Sequence, residues 1–264
     1  MSAITVTLVG FGAIGRAIYQ RLQSSPICTV SAIVVRSNSV NALQGELGPS
    51  VFVVDAVPTD TKLVLECAGH EALKAHVLPA LKAGIECAVL SVGALSEIGL
   101  PEALEAAAAQ GSTQVHLLSG AIGGIDAIAA AQIEGIDSVT YTGRKPPLSW
   151  KGSAAEKLVA LESITKATIF FEGSARQASS QYPKNSNVAA TIALAGLGLD
   201  NTQVKLIADP SITENIHEID ISGAFGSMQL VMKGKPLADN PRTSALTVLS
   251  ALRFLHNKAS HTTI

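Results

Sequence analysis

The hexapeptide Gly10-Phe11-Gly12-Ala13-Ile14-Gly15 constrains the fold of this chain more than any other segment. It spells G-x-G-x-x-G. It follows the β-branched apolar run Ile4–Val9 and precedes residues 13–23, where Ile14, Ala17, Ile18 and Leu22 recur at helical spacing. That strand–turn–helix context is what gives a short glycine pattern meaning. Gly10 permits the tight turn, Gly12 lets bare backbone approach a pyrophosphate, and Gly15 lets helix and strand pack closely. The helix start then offers free N–H groups and a partial positive charge to phosphates. A ligand-free glycine turn is the bland alternative. The context favours a Rossmann-type dinucleotide-binding unit, with residues 10–15 on the cofactor.

The first half of the chain continues in the same rhythm. Val30–Val35, Val51–Val54, Lys62–Cys67, Glu86–Ser91 and Val115–Leu118 read as strands. Glu71–Ala83 reads as a helix, and so does Glu102–Gln110, opened by Pro101 and followed by Gly111. Strands alternating with helices imply right-handed crossovers and a parallel sheet. The pattern changes near residue 120. Ser138–Arg144, Ala167–Phe171, Val204–Ala208, Asn215–Ser222 and Ser227–Lys233 read as strands, the last two joined by the hairpin signal Gly223-Ala224-Phe225-Gly226. With a helix over 187–197, they suggest an antiparallel α+β unit for substrate binding and dimerisation. The expected fold is therefore α/β: a dinucleotide-binding domain over 1–120, completed by the C-terminal helix within 241–264, and an α+β catalytic domain over 121–240.

Composition narrows the function. Hydrophobic residues make up 47% and charged residues 15%, enough for a packed core, and the formal net charge of -2 gives no electrostatic reason to expect nucleic acid or an acidic membrane. No apolar stretch of spanning length is free of breaks. Nothing at the start resembles a secretory leader. The three cysteines lack C-x-x-C spacing, and no H-E-x-x-H or close His/Asp cluster occurs, so neither a metal site nor a disulfide framework is expected. The expectation is a cytoplasmic protein with reduced thiols.

Several further segments carry candidate chemistry. The second strand ends in Arg36-Ser37-Asn38-Ser39, with no acid at its tip. NAD-selective sites usually place a carboxylate there, whereas arginine pairs with a 2′-phosphate, so NAD or NADP is expected. A solvated surface arginine is the alternative. Glu66-Cys67-Ala68-Gly69-His70 closes a strand, which would place Cys67, Ala68 and Gly69 near the ribose or nicotinamide. Cys67 lacks an activating neighbour other than His70, so a packing role is favoured over covalent catalysis. Ser119–Gly124 could be a hinge or a helix start that binds a carboxylate. Asn187 is an N-cap candidate whose amide could instead reach a carboxamide, and Lys184 and Arg144 are cations that could meet a dicarboxylate. His217 alternates with Ile219 and Ile221 on one strand face, the usual setting of a core histidine, though histidine is also the usual proton-transfer group near neutral pH.

Taken together, Gly10–Gly15, Glu66–Gly69, Leu90–Leu95, Ser119–Gly124, Asn187–Thr191 and Ile216–Ile219 resemble the L-aspartate dehydrogenase family over nearly the whole chain. The glycine loop is shared with many dehydrogenases, and the last three segments are more specific. The resemblance implies oxidation of L-aspartate to iminoaspartate with NAD or NADP, then hydrolysis to oxaloacetate and ammonia. It further implies a homodimer that can supply NAD biosynthesis. It matches Ala121 and Asn187 to cofactor-binding positions and His217 to the catalytic histidine. The rival readings are a homoserine dehydrogenase-like or dihydrodipicolinate reductase-like enzyme, which would share the N-terminal domain, and a non-catalytic NAD(P)-sensing protein.

Overall fold

A computed structural model describes residues 3–183, 186–237 and 240–263. The chain divides into two compact units, residues 1–118 with 247–264, and residues 119–246.

The first unit is built on a six-stranded sheet. Its strands are β1 (Ile4–Val9), β2 (Cys28–Val34), β3 (Phe52–Val54), β4 (Leu63–Glu66), β5 (Glu86–Val89) and β6 (Val115–Leu117), in the order β3-β2-β1-β4-β5-β6. Every pairing is parallel. Parallel strands are covered on both faces, which is why β4 is buried along its whole length and Val6–Val9 of β1 likewise. The crossover from β3 to β4 reverses the direction in which strands are added, so the carboxyl ends of the neighbours β1 and β4 form a switch point where ligands collect.

The connecting helices are α1 (Ala13–Leu22), α2 (Ser37–Leu47), α3 (His70–Ala72), a π turn (Leu73–Val77), α4 (Leu78–Lys82) and α5 (Leu100–Gln110). The π turn lies just ahead of Pro79, whose missing N–H breaks the regular bonding ladder. Helix α2 falls where the sequence reads only a polar strand tip. It buries Leu43 alone, so its apolar periodicity is faint.

In the second unit α6 (Ile125–Glu134) leads into β7 (Ile136–Lys145). Then come β8 (Thr168–Ser174), α7 (Ala175–Gln181), α8 (Asn187–Ala195), β9 (Gln203–Ala208), β10 (Asn215–Gly223) and β11 (Gly226–Gly234). A short ribbon of β12 (Pro236–Leu237) and β13 (Asn240–Ser244) precedes the last helix, α9 (Ala245–Ala259). The five-stranded sheet runs β11-β10-β7-β9-β8. It is not wholly antiparallel as expected, because β7 and β9 pair in parallel. The chain between them runs out through β8, α7 and α8, which gives the length a parallel crossover needs. One sheet face is covered by helices: Gly196, at the end of α8, sits against Val139 of β7 and Ile128 of α6. Among the described residues no helix is long and apolar enough to cross a membrane.

Candidate active site

A cleft of about 920 Å³ opens in the first unit at the carboxyl ends of β1, β2 and β4. Gly10, Phe11 and Gly12 line it from the loop after β1, Arg36 from the tip of β2, Ser39 from the first turn of α2, and Cys67, Ala68 and Gly69 from the loop after β4. Ala13, Ile14 and Gly15 form the first turn of α1, whose N-cap Gly12 contributes no side-chain bond. That uncapped turn suits an anion.

The loop geometry explains its glycines. Gly10 has φ +101°, and a Cβ there would stand 2.6 Å from Ala68. A Cβ on Gly15 would stand 2.3 Å from the Gly10 carbonyl oxygen, so α1 approaches β1 more closely than any side chain allows. Gly12 faces open space within 4 Å, leaving room for a phosphate against the backbone. These features fit a dinucleotide pyrophosphate.

Two residues to which the sequence reading gave no role shape this cleft. Arg16, one turn into α1, lies over the Phe11 ring at 4.7 Å and forms an ion pair with Glu46 of α2. Glu66, fully buried at the end of β4, accepts bonds from the N–H groups of Ala68 (2.7 Å), Gly69 (2.8 Å) and Ser91 (3.0 Å), and from the Ser91 hydroxyl (2.8 Å). Its carboxylate ties together the two loops that follow β4 and β5. Burial raises its pKa, against the lowering effect of those bonds. The strand periodicity marks position 66 as interior, and an acid at an interior strand end was the available signal. Cys67 is a packing residue in its local bonds: its thiol points at the carbonyls of Val9 (3.4 Å) and Gly10 (3.3 Å), and burial raises its pKa, then the Glu66 charge.

The remaining candidates belong to the second unit. Ala121 lies in the loop before α6, whose Gly120 and Gly124 both have positive φ. The Gly123 N–H meets the Met232 sulfur at 3.0 Å. Met232 on β11 is the direct cross-strand neighbour of His217 on β10, so this loop and the imidazole share one sheet face. Asn187 is not the N-cap of α8. Ser186 occupies that position, and Asn187 is the first helical residue, its carbonyl accepting the Thr191 hydroxyl at 2.8 Å. Ser186 has an αR-like backbone and makes no side-chain cap, which is why the N-cap rule pointed one residue too late, although the helix does begin at Asn187. Lys184 lies outside the described residues.

His217 is 4% exposed, and its Nδ1 is 2.8 Å from the Tyr141 hydroxyl. Burial, and then the charge of Lys145, hold the imidazole down to about 4, so it is neutral near pH 7. On β7, Tyr141, Gly143 and Lys145 alternate onto the imidazole's face, since Gly143 pairs directly with His217. Arg144 therefore points to the opposite face, where it bonds Asp209 at 3.0 Å and Glu218 at 3.5 Å. The cation on the imidazole's side is Lys145, whose ammonium burial pulls down to about 8 and which lies over the Trp150 ring at 4.9 Å. Among the described residues no group of His, Cys, Asp and Glu side chains is arranged to hold a metal ion.

Comparison with known proteins separates the two halves. Residues 10–118 match the family described as homoserine dehydrogenase, NAD binding domain, and residues 126–258 match aspartate dehydrogenase, C-terminal. The L-aspartate dehydrogenase of Cupriavidus taiwanensis is 54% identical over 96% of this chain and 97% of its own length. That of Pseudomonas aeruginosa is 50% identical over 97% and 98%. The crystal structure of aspartate dehydrogenase from Thermotoga maritima superposes with a TM-score of 0.78 at 29% identity, covering 99% of both chains. A hyperthermophilic archaeal homoserine dehydrogenase in complex with NADPH shares the fold, with a TM-score of 0.60 at 12% identity over 97% of this chain and 98% of its own. The fold is common to both enzymes, and the match of the second half together with the full-length identity decides: the chain belongs to the L-aspartate dehydrogenase family.

Proposed function

We propose that the protein oxidises L-aspartate with NAD or NADP to iminoaspartate, which water converts to oxaloacetate and ammonia. The observation that carries this reading is a buried, neutral imidazole, His217, in a chain whose relatives at 50–54% identity are L-aspartate dehydrogenases. The first-unit cleft would hold the dinucleotide: residues 10–15 the pyrophosphate, Arg36 the 2′ position of the adenosine ribose, and Cys67, Ala68 and Gly69 the segment beyond. Ala121 and Asn187 would complete the cofactor contacts. The bound nicotinamide supplies the hydride acceptor. His217 would take the proton from the water that adds to the imine carbon, and return a proton in the reductive direction. An imidazole kept uncharged is ready to accept that proton.

Arg36, with no acid at the tip of β2, supports acceptance of NADP beside NAD. The protein would act in the cytoplasm as a homodimer and supply iminoaspartate to NAD biosynthesis. The exposed face of the second sheet, where Val231 is 61% accessible, is a surface a second copy could cover.

The test is aspartate-dependent reduction of NAD and NADP followed by absorbance, with homoserine and other amino acids as controls. Aspartate should be the preferred substrate, and His217→Asn should lower turnover by at least about 10²-fold, the lower range for general acid–base catalysis, while dinucleotide binding persists. Near-normal turnover in the variant, or a preference for homoserine, would overturn the assignment.

A further inference from the structure

We infer that Tyr141 is the positioning residue for His217, and that Gly143 is the gap in β7 that lets it reach the imidazole. The inference rests on the acid–base reading of His217 and adds to it a mechanism for choosing which ring nitrogen does the work.

The register of β7 and β10 sets Gly143 opposite His217 and Tyr141 opposite Ile219. Tyr141 is thus a diagonal neighbour of the histidine, and its side chain must cross position 143 to touch it. It does: a Cβ on Gly143 would stand 2.8 Å from the Tyr141 hydroxyl oxygen and 3.2 Å from the ring carbon that bears it. The phenol can lie there only because residue 143 has no side chain. The two rings are nearly parallel, at 19° and 6.0 Å between centroids. The phenol is 1% exposed, and burial raises its pKa, so it stays protonated. A buried hydroxyl needs a partner, and Nδ1 supplies one at 2.8 Å.

With Nδ1 engaged, Nε2 is the nitrogen dedicated to proton exchange. A phenol suits both directions of the reaction. Its oxygen accepts from Nδ1–H when Nε2 carries the lone pair and acts as base. It accepts from Nδ1–H again when the ring is the imidazolium and Nε2 gives up its proton as acid.

The other groups facing the imidazole leave this bond in control. Met232 and Leu230 on β11, and Ile219 on β10, are uncharged, and residues 119–124 carry no titratable side chain. Among the described residues, Lys145, two residues beyond Gly143 on the same face, contributes the charge that acts on His217, and it opposes protonation of the ring.

Tyr141→Phe keeps the ring and removes the bond. In the full-length protein, turnover with aspartate should fall at least about tenfold, less than the loss of the acid–base group itself, while KM for the dinucleotide stays unchanged. The limb of the pH profile belonging to His217 should move. Independently of activity, the His217 nitrogen signals of 15N-histidine-labelled protein, assigned by their loss in His217→Asn, should show a changed tautomer balance. Gly143→Ala, which keeps the phenol but blocks its path, should shift the same signals. Wild-type turnover, pH profile and nitrogen signals in Tyr141→Phe would overturn the inference. If His217→Asn were active, the acid–base reading itself would fall. If His217→Asn were inactive and Tyr141→Phe fully normal, only the role of Tyr141 would.

Discussion

Arg36 and Arg16 reach the same cleft on different terms. Arg16 is held by Glu46 and by the Phe11 ring, whereas Arg36 stands at the N-cap of α2 with Ser39 beside it in the lining. A guanidinium on a phosphate forms charge-assisted bonds worth about 1.5–3 kcal/mol. Arg36→Ala should therefore raise KM for NADP about tenfold or more and leave KM for NAD within about twofold. Parallel initial-rate measurements with the two cofactors decide this, and equal effects on both would remove Arg36 from the 2′-phosphate. Arg36 was readable from the sequence because its position follows from the end of a strand. Arg16 and Glu66 were not, since an ion pair between two helices and a carboxylate bonded to three loop N–H groups arise only when distant segments meet.

Strand β10 carries its histidine as the alternation of His217, Ile219 and Ile221 indicates, all three on the buried face. Strand β7 has the same regularity, and it separates Lys145 from Arg144 onto opposite faces. What a single strand cannot reveal is its register: Tyr141 and Gly143 acquire meaning only from the pairing of Gly143 with His217. Burying a neutral imidazole in this element has a thermodynamic consequence. The folded pKa of about 4 lies below the ordinary value near 6.5, so the unfolded chain binds the proton more readily. The stability that the neutral ring permits is complete above about pH 6.5 and is lost as pH falls toward about 4, by up to about 1.4 kcal/mol per pH unit. Urea unfolding across that window should show the slope in the wild type and not in His217→Gln. Identical slopes would mean that the ring is not buried in its neutral form.

The first unit contains both ends of the chain. Residues 247–264 belong to it, with Val248, Ala251 and Leu255 of α9 fully buried. The Phe254 ring lies 4.9 Å from His116 of β6, and Lys258 reaches Glu86 of β5. Leu255→Ala should destabilise this unit by about 2–5 kcal/mol, the usual cost of a buried leucine truncation. Thermal unfolding followed with and without NADP reads the effect as a lowered midpoint, and an unchanged midpoint would show that the α9 contact contributes little. The amphipathic face of this helix is plain in the sequence, but nothing in it names the body it joins. The parallel pairing of β7 with β9 is hidden in the same way, because periodicity describes a strand's faces and not its neighbours.

The discontinuity of that unit also governs how the polypeptide matures. Translation is vectorial, so the first 118 residues leave the ribosome long before α9 exists to cover their β5–β6 flank. The intervening unit is contiguous and can close while the nascent chain is still growing. The nucleotide-binding half is started before the second unit and completed after it, and until α9 emerges it exposes apolar surface to chaperones and proteases.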